Sequence, residues 1–589
     1  MNFISELNRK AILSFERFPI TLSWVVLGSF YLIGIYGVDD FDLIQQNESL
    51  NLVLALGVSW LIGSQFLSEA LHHNTLNRFV FKLFVVLALG LFYYYLEFIE
   101  AETSDIGYGR WALLLLAGHV FVIFAPFIKS WHKHKFWNYL KSIIIALVRS
   151  GLYAVVLYVG LAIAISAMEL LFDFNFNSYI YLQTLIFCLG IVNTFVYLSD
   201  FPKLDKLDIK VSFNKASEVL ILYILMPLSL LYILIVYAYA LKILIDWELP
   251  RGSVTYLISA LSVLAFVIHI AIEPVRESHK SKFIQKFFPL YFYAILPLLA
   301  LLFIALYKRI SDYNFTELRY LGVVLAVWIT VMLIYMIVSN KKALSLYAKS
   351  MFLLILLSTF GPLSAFKISI NAQFSELGEL MQKLENKPEK SFTAEEYNRF
   401  ESIVKYLNNR NALAKTEAYF GFNPNEVFSE ANTYKMPRKL VDTLDIKVLK
   451  SDLKSTNIYK NYVLRNFKPN YAVDVSDYNH FTELKLDYKI REDKALQLHF
   501  DDNNNITFRY YGEVLFETNM TSHLKTIAEK YNYLNEASQE EFTFRFKNEK
   551  GDFLIIFKEF RYNYQDEQIK ILNAKAMLFY RTYDQLELP

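Results

Sequence analysis

The sequence predicts an α-helical polytopic membrane bundle of about eleven spans, followed by an α+β soluble domain built on an antiparallel sheet. Three observations lead there. Of the 589 residues, 55% are hydrophobic and 17% aromatic, while only 20% are charged, against roughly 25% charged in an ordinary soluble protein. The charge is unevenly placed, at about 14% of residues up to Lys367 and about 29% beyond it, which separates a lipid-embedded part from a soluble one. Finally, the apolar spacing changes from long unbroken runs to a period of two beyond Tyr471.

A helix needs about 20 mainly apolar residues to cross roughly 30 Å of hydrocarbon. Eleven runs qualify, centred on residues 19–38, 50–67, 79–98, 111–128, 143–172, 179–198, 220–245, 254–272, 288–307, 321–338 and 351–366. The first is too long for the core of a signal peptide, and Asp39-Asp40 follows it where a small-residue cleavage site would stand, so it is expected to remain as a span.

Short loops set the orientation, because Lys and Arg accumulate on the cytoplasmic side. Arg9, Lys10 and Arg17, then Arg78, then Lys129, Lys133, Lys135 and Lys141 lie in alternate loops, and Lys203, Lys206, Lys210 and Lys215 follow in the same set. Arg276, Lys280, Lys282 and Lys286, and then Lys341, Lys342 and Lys349, continue it. The intervening loops carry Asp39, Asp40, Asp42 and Glu48, then Glu97, Glu100, Glu102 and Asp105, then Asp173, Asp246 and Glu248; only Lys308 and Arg309 blur the alternation. The expectation is a multi-pass protein of the bacterial cytoplasmic (inner) membrane with a cytoplasmic amino terminus. Residues 1–367 form its transmembrane domain and 368–589 a periplasmic one.

The soluble part starts helical. Residues 373–384 and 394–407 carry apolar side chains at three- and four-residue spacing, Lys387-Pro388 breaks them, 422–426 reads as a loop, and 438–453 as a third helix. Strict alternation then marks strands at 483–490, 496–500, 506–510, 542–546, 553–564 and 569–580, with an amphipathic helix at 522–534. Helices on one side of an antiparallel sheet are expected. The only cysteine, Cys188, lies in the sixth run, so this domain needs a core of its own rather than a disulfide.

Ionisable and polar groups inside spans are the first functional candidates, since burying charge in lipid is costly. They are His119, Asn193, His269, Arg149, Glu169 and Lys242. Arg149, Glu169 and Lys242 lie near span ends and can reach the headgroups; His119 and His269 are deeper, where a neutral histidine bonded between helices competes with a proton relay. Gly361-Pro362 in the last span removes a helix hydrogen bond, so the helix is expected to kink or end there, either aiming the outer domain or acting as a candidate hinge that couples it to the bundle. His72, His73, His132, His134 and His279 lack metal-ligand spacing. Residues 501–505 lack the Gly and Glu of a calcium loop, and Ser451 to Lys454 stands without the companion motifs of penicillin-binding enzymes. No catalytic set, metal or cofactor is therefore expected, and a net charge of +2, roughly −3 for residues after 367, speaks against nucleic acid. An alternative enzymatic reading is a transferase using lipid-linked sugars, with Asp39, Asp40 or Asp42 as the base. Its weakness is that only a short loop separates the first two spans.

At the junction, Gly361-Pro362-Leu363-Ser364-Ala365-Phe366, then Ser369 and Gln373, lead into an amphipathic helix, and Arg17-Phe18-Pro19 enters the first span. In these stretches and in its layout the chain resembles the domain of unknown function 4153 family of bacterial polytopic membrane proteins, although Asn371-Ala372 stands where the family pattern has Arg. The resemblance implies an inner-membrane protein and offers no catalytic residues. The combined expectation is a non-enzymatic binding or transport-linked envelope protein. The bilayer and an envelope protein, glycan or lipid held by the outer domain would be its partners, with a secondary transporter as the other alternative.

Overall fold

A computed structural model describes residues 9, 12–36, 47–71, 74–99, 105–129, 131–177, 179–202, 207, 209, 211, 215–246, 253–276, 282–339, 343–428, 435–449, 460–466, 474–487, 496–500, 505–510, 513–519, 521–522, 536–537, 543–548, 551–565 and 568–583. The chain divides into two compact units, Met1–Lys447 and Val448–Pro589.

Eleven helices build most of the first unit: α1 (Pro19–Ile35), α2 (Glu48–Ala70), α3 (Thr75–Tyr94), α4 (Asp105–Phe124), α5 (Lys133–Phe172), α6 (Tyr179–Ser199), α7 (Val219–Asp246), α8 (Ser253–Arg276), α9 (Lys282–Tyr313), α10 (Glu317–Val338) and α11 (Ser345–Thr359). Among the described residues nine are long and apolar enough to cross a bilayer, while α1 and α11 are shorter apolar helices of 17 and 15 residues. Each lies on one of the predicted runs. Pro19 opens α1 where its missing N–H is no loss. Small residues let helices approach closely: a Cβ on Gly63 of α2 would stand 2.3 Å from Phe121, and one on Gly118 of α4 2.3 Å from the Ser59 hydroxyl.

The fifth run is longer than predicted, since α5 has 40 residues, about 60 Å at helical rise and about twice the hydrocarbon thickness. Its first half is buried through Phe136, Trp137, Tyr139, Ile143 and Ala146; most of its second half is exposed. Alternate loops collect at opposite poles of the bundle. At one pole Arg17 Nη1 donates to the Phe201 and Pro202 carbonyls (3.2 Å each), Lys129 Nζ to that of Leu71 (3.4 Å) and Lys349 Nζ to that of Ile128 (3.2 Å). At the other, Tyr31 donates to Asn47 Oδ1 (2.8 Å) and Gln183 to the Ile33 carbonyl (2.9 Å).

At the last run the helix ends rather than kinks: α11 stops at Thr359, and Gly361 takes a left-handed φ of 84° just beyond it. The Tyr320 hydroxyl closes this corner on the Leu363 carbonyl (2.7 Å). The helix α12 (Ala365–Glu385) then runs beside α13 (Ala394–Asn409) and α14 (Met436–Thr443) as a helical cap. Phe392, Phe400, Ile403, Val404, Leu407, Leu413 and Leu440 are fully buried in it, and Ile106 of α4 joins the same core. Burying a side chain of this size contributes roughly 1.5–3 kcal/mol. Thr393 and Glu396 form a reciprocal capping box at the start of α13.

The compact division of the chain comes at Lys447/Val448, while the boundary expected at 367/368 marks where the membrane-like composition ends. Composition changes where the chain leaves lipid; the division lies where its packing partners change. The third helix also stops sooner than expected, at Thr443, with the two-residue strands β1 (Ser391–Phe392) and β2 (Lys447–Val448) pairing around it. The 422–426 loop contains a helical turn, Pro424–Val427.

The second unit is a nine-stranded sheet among the described residues: β3 (Lys460–Asn466), β4 (His480–Asp487), β5 (Leu496–Phe500), β6 (Asn505–Tyr510), β7 (Glu513–Asn519), β8 (Glu536–Ala537), β9 (Thr543–Asn548), β10 (Gly551–Gln565) and β11 (Gln568–Thr582). Its order is β7-β6-β5-β4-β11-β10-β3-β8, with β9 sharing the β3 edge of β10. Pairing is antiparallel as expected except at β3·β8 and β4·β5, which are parallel. The rings of Phe508 on β6 and Phe553 on β10 lie 5.9 Å apart although three strands separate them in the order, so the sheet curls and closes its own core. This is why Phe553 to Phe557 are all buried, where one-sided covering would have left alternate residues wet. Helices α12 to α14, expected to cover the sheet, belong to the first unit. Most of the predicted 522–534 helix and the 501–504 turn lie outside the described residues.

Candidate functional site

The most concentrated polar group in the bundle surrounds a carboxylate that the sequence reading passed over. Glu273, on the last turn of α8 and 6% exposed, takes Arg276 Nε at 2.7 Å, Lys133 Nζ of α5 at 3.4 Å and His269 Nε2 at 3.4 Å. His269 is 2% exposed; its Nδ1 meets the Tyr347 hydroxyl of α11 at 3.3 Å, and Phe292 of α9 packs edge-on against it. Arg276 also donates to the Gln285 carbonyl (3.0 Å). Four helices are therefore joined through one buried anion. Such a pair needs several hydrogen bonds to offset desolvation, and here the helical spacing supplies them, since 269, 273 and 276 share a face. A visible signal existed, as Glu273 is an acid in an otherwise basic loop. The arrangement can hold or pass a proton between His269 and its neighbours.

A second carboxylate lies at the same pole. Glu69 of α2 is gripped by Arg17 (Nε–Oε1 3.0 Å, Nη2–Oε2 2.9 Å) and by Gln65 Nε2 at 2.7 Å. The Phe18 ring packs on Phe66 and Phe201, which gives Arg17-Phe18-Pro19 a structural role.

The other candidates disperse. His119 is exposed on the outer surface of α4, bonded at 2.8 Å to the Leu115 carbonyl of its own helix. Asn193 follows a π-helical turn, half-buried, with Oδ1 buried and without a partner among the described residues. Arg149 pairs with Asp200 at 2.7 Å and Glu169 accepts from Tyr181 at 2.8 Å. Twenty residues of helix, roughly 30 Å, separate those two. Lys242 is exposed one turn from the end of α7. Asp39, Asp40 and Asp42 lie outside the described residues, as do His72, His73 and His279. Among the described residues no group of three or more His, Cys, Asp or Glu could hold a metal ion.

At the opposite pole the cap is latched to the bundle. Arg410 of α13 bonds Glu317 of α10 (2.9 Å) and Asp105 of α4 (2.7 Å); Tyr406 donates to Glu317 (2.9 Å). Gln373 donates to the carbonyls of Tyr313 (3.2 Å) and Phe315 (2.8 Å), and Asn314 to that of Ala372 (3.2 Å). Burial, with Glu317 alongside, raises the Tyr406 hydroxyl well above its ordinary pKa, so it remains a donor. The Gly361-Pro362 corner is thereby tied on both sides.

Residues 48–373, from α2 to Gln373, match the family model described as Domain of unknown function (DUF4153). The Uncharacterized protein PM1469 of Pasteurella multocida (strain Pm70) is 24% identical over 360 residues, which cover 61% of this chain and 58% of that one. The chain therefore spans about three fifths of the length of the curated relative it matches. No solved structure matches it.

Proposed function

Because the chain belongs to the DUF4153 family, we propose that it is a non-enzymatic binding protein of the bacterial inner membrane. Its amino terminus is cytoplasmic, and its cap and curled sheet lie in the periplasm, where the sheet engages an envelope protein, glycan or lipid. One observation carries this reading: the described intramembrane polar groups do not converge on a path. His119 faces outward, Arg149 and Glu169 are paired 20 residues apart, and His269 sits seven residues from the end of α8 in a saturated network. The basic turns at one pole support the orientation. On the sheet, exposed Phe481 packs against Phe579 with ring centres 5.0 Å apart and provides aromatic contact area at low entropic cost.

The test places a photoreactive phenylalanine analogue at Phe481, with a control at lipid-facing Leu170, in the full chain in its own bacterium. A discrete, reproducible adduct from Phe481 alone is the expected result. No adduct at Phe481, together with a solute flux in proteoliposomes that His269→Ala or Asn193→Ala abolishes, would replace this reading by the transporter.

A further inference from the structure

The Glu69 cluster holds more positive charge than the described residues around it neutralise. Lys82 on α3 is only 8% exposed and has no hydrogen bond or ion pair within 4 Å among the described residues. It lies within electrostatic reach of Glu69 and Arg78. Arg78, one turn earlier on the same face, has its Nε buried without a partner. Glu69, the acid within electrostatic reach of them among the described residues, is already taken, since Arg17 grips both its oxygens and Gln65 shares one. Three cations thus face one carboxylate in a site mostly closed to water, where an uncompensated ammonium is costly. The amino-terminal end of α3, capped by the Asn74 side chain on Asn77 N at 2.9 Å, adds the positive end of a helix dipole to the same region.

We infer that Arg78 and Lys82, beside the Arg17–Glu69 pair, form an anion site that takes a phosphate group. A membrane phospholipid or a soluble phosphate can supply it. The lipid is well placed to do so: Lys82 lies about 10 Å along α3 from its start, so its ammonium reaches headgroup depth. Phe79, Val80, Leu83 and Phe84 beside it are all more than half exposed, a surface for acyl chains. Arg78 supplies a forked donor and Lys82 a point charge, the two geometries that recognise phosphate oxygens.

The experiment uses the full chain, purified in a maltoside detergent and stripped of lipid. Thermal unfolding and bound phosphorus are measured with phosphatidylglycerol, with diacylglycerol of the same chains, and with inorganic phosphate. The expected result is stabilisation and stoichiometric phosphorus with phosphatidylglycerol, none with diacylglycerol, and apparent affinity weakened roughly tenfold or more by Lys82→Met. Lys82→Met keeps the stem and removes the charge; should it fail to fold, Arg78→Gln reads the same site. An equal response to inorganic phosphate, lost in the same variants, assigns the site to a soluble phosphate. Stabilisation that is insensitive to both substitutions, or equal with diacylglycerol, overturns the proposal.

Discussion

The two poles of the bundle handle charge differently. At the basic pole, among the described residues, cations crowd around single carboxylates: Glu273 with Arg276, Lys133 and His269, and Glu69 with Arg17. At the other pole the pairs join the cap to the bundle or to itself: Arg410 with Glu317 and Asp105, Arg399 with Glu376, and Lys387 with Glu396. The difference separates two uses of an ion pair. A buried anion that several helices share holds the bundle together, whereas pairs between the cap and the bundle fix the orientation of one element on another and contribute less stability.

Removing the buried anion has the largest expected effect. Glu273→Ala leaves Arg276 and Lys133 facing each other and costs about 3–5 kcal/mol, visible as a large loss of monodisperse protein and of thermal midpoint; Glu273→Gln costs less. A midpoint for Glu273→Ala equal to that of a latch variant would break the comparison. Next comes the latch. Arg410→Ala strands Glu317 and costs about 1.5–3 kcal/mol of cap docking, with the bundle intact. Chymotrypsin should then cut faster at Phe360 or Leu363, both exposed at the corner. Unchanged cleavage would mean that Gln373 and the apolar core alone hold the cap.

The smaller effects lie within the cap. Thr393→Ala removes the capping box and costs about 1 kcal/mol, read as faster amide exchange in the first turn of α13. Glu396 sharpens this by pH. Burial pushes its carboxyl up, but hydrogen bonds from Lys387 and the Thr393 N–H outweigh that and hold it below the ordinary range. A depressed carboxyl stabilises the fold fully above its unfolded pKa of about 4.3, and the contribution is lost as pH falls through the folded value. Protection of the α13 amino terminus should therefore fade below about pH 4, and Glu396→Gln should be already weakened and flat across that range.

The bundle was legible because lipid imposes a length and a composition on each span, so every described apolar helix falls on a predicted run. The alternation of strands was legible for the same local reason. What the sequence hid depends on distant partners. Arg410 meets Asp105 across 305 residues of chain, and Gln373 meets the 313–315 turn, so nothing near residue 367 announced that the cap belongs with the bundle. The curl of the sheet was hidden likewise, because the Phe508–Phe553 contact that closes it is made between strands remote in the order. Among the site residues, His269 was found by its polarity within a run. Glu273, Tyr347 and Glu69 were not, because each looks like an ordinary span-end residue until the helices around it are assembled.

In the proposed orientation the basic pole faces the cytoplasm and the cap lies outside it. Reporter fusions test this directly: alkaline phosphatase joined after Asn386, beyond α12, should be active, and the same enzyme joined after Leu71, at the basic pole, should be inactive. An inactive fusion after Asn386 with an active one after Leu71 would contradict the account.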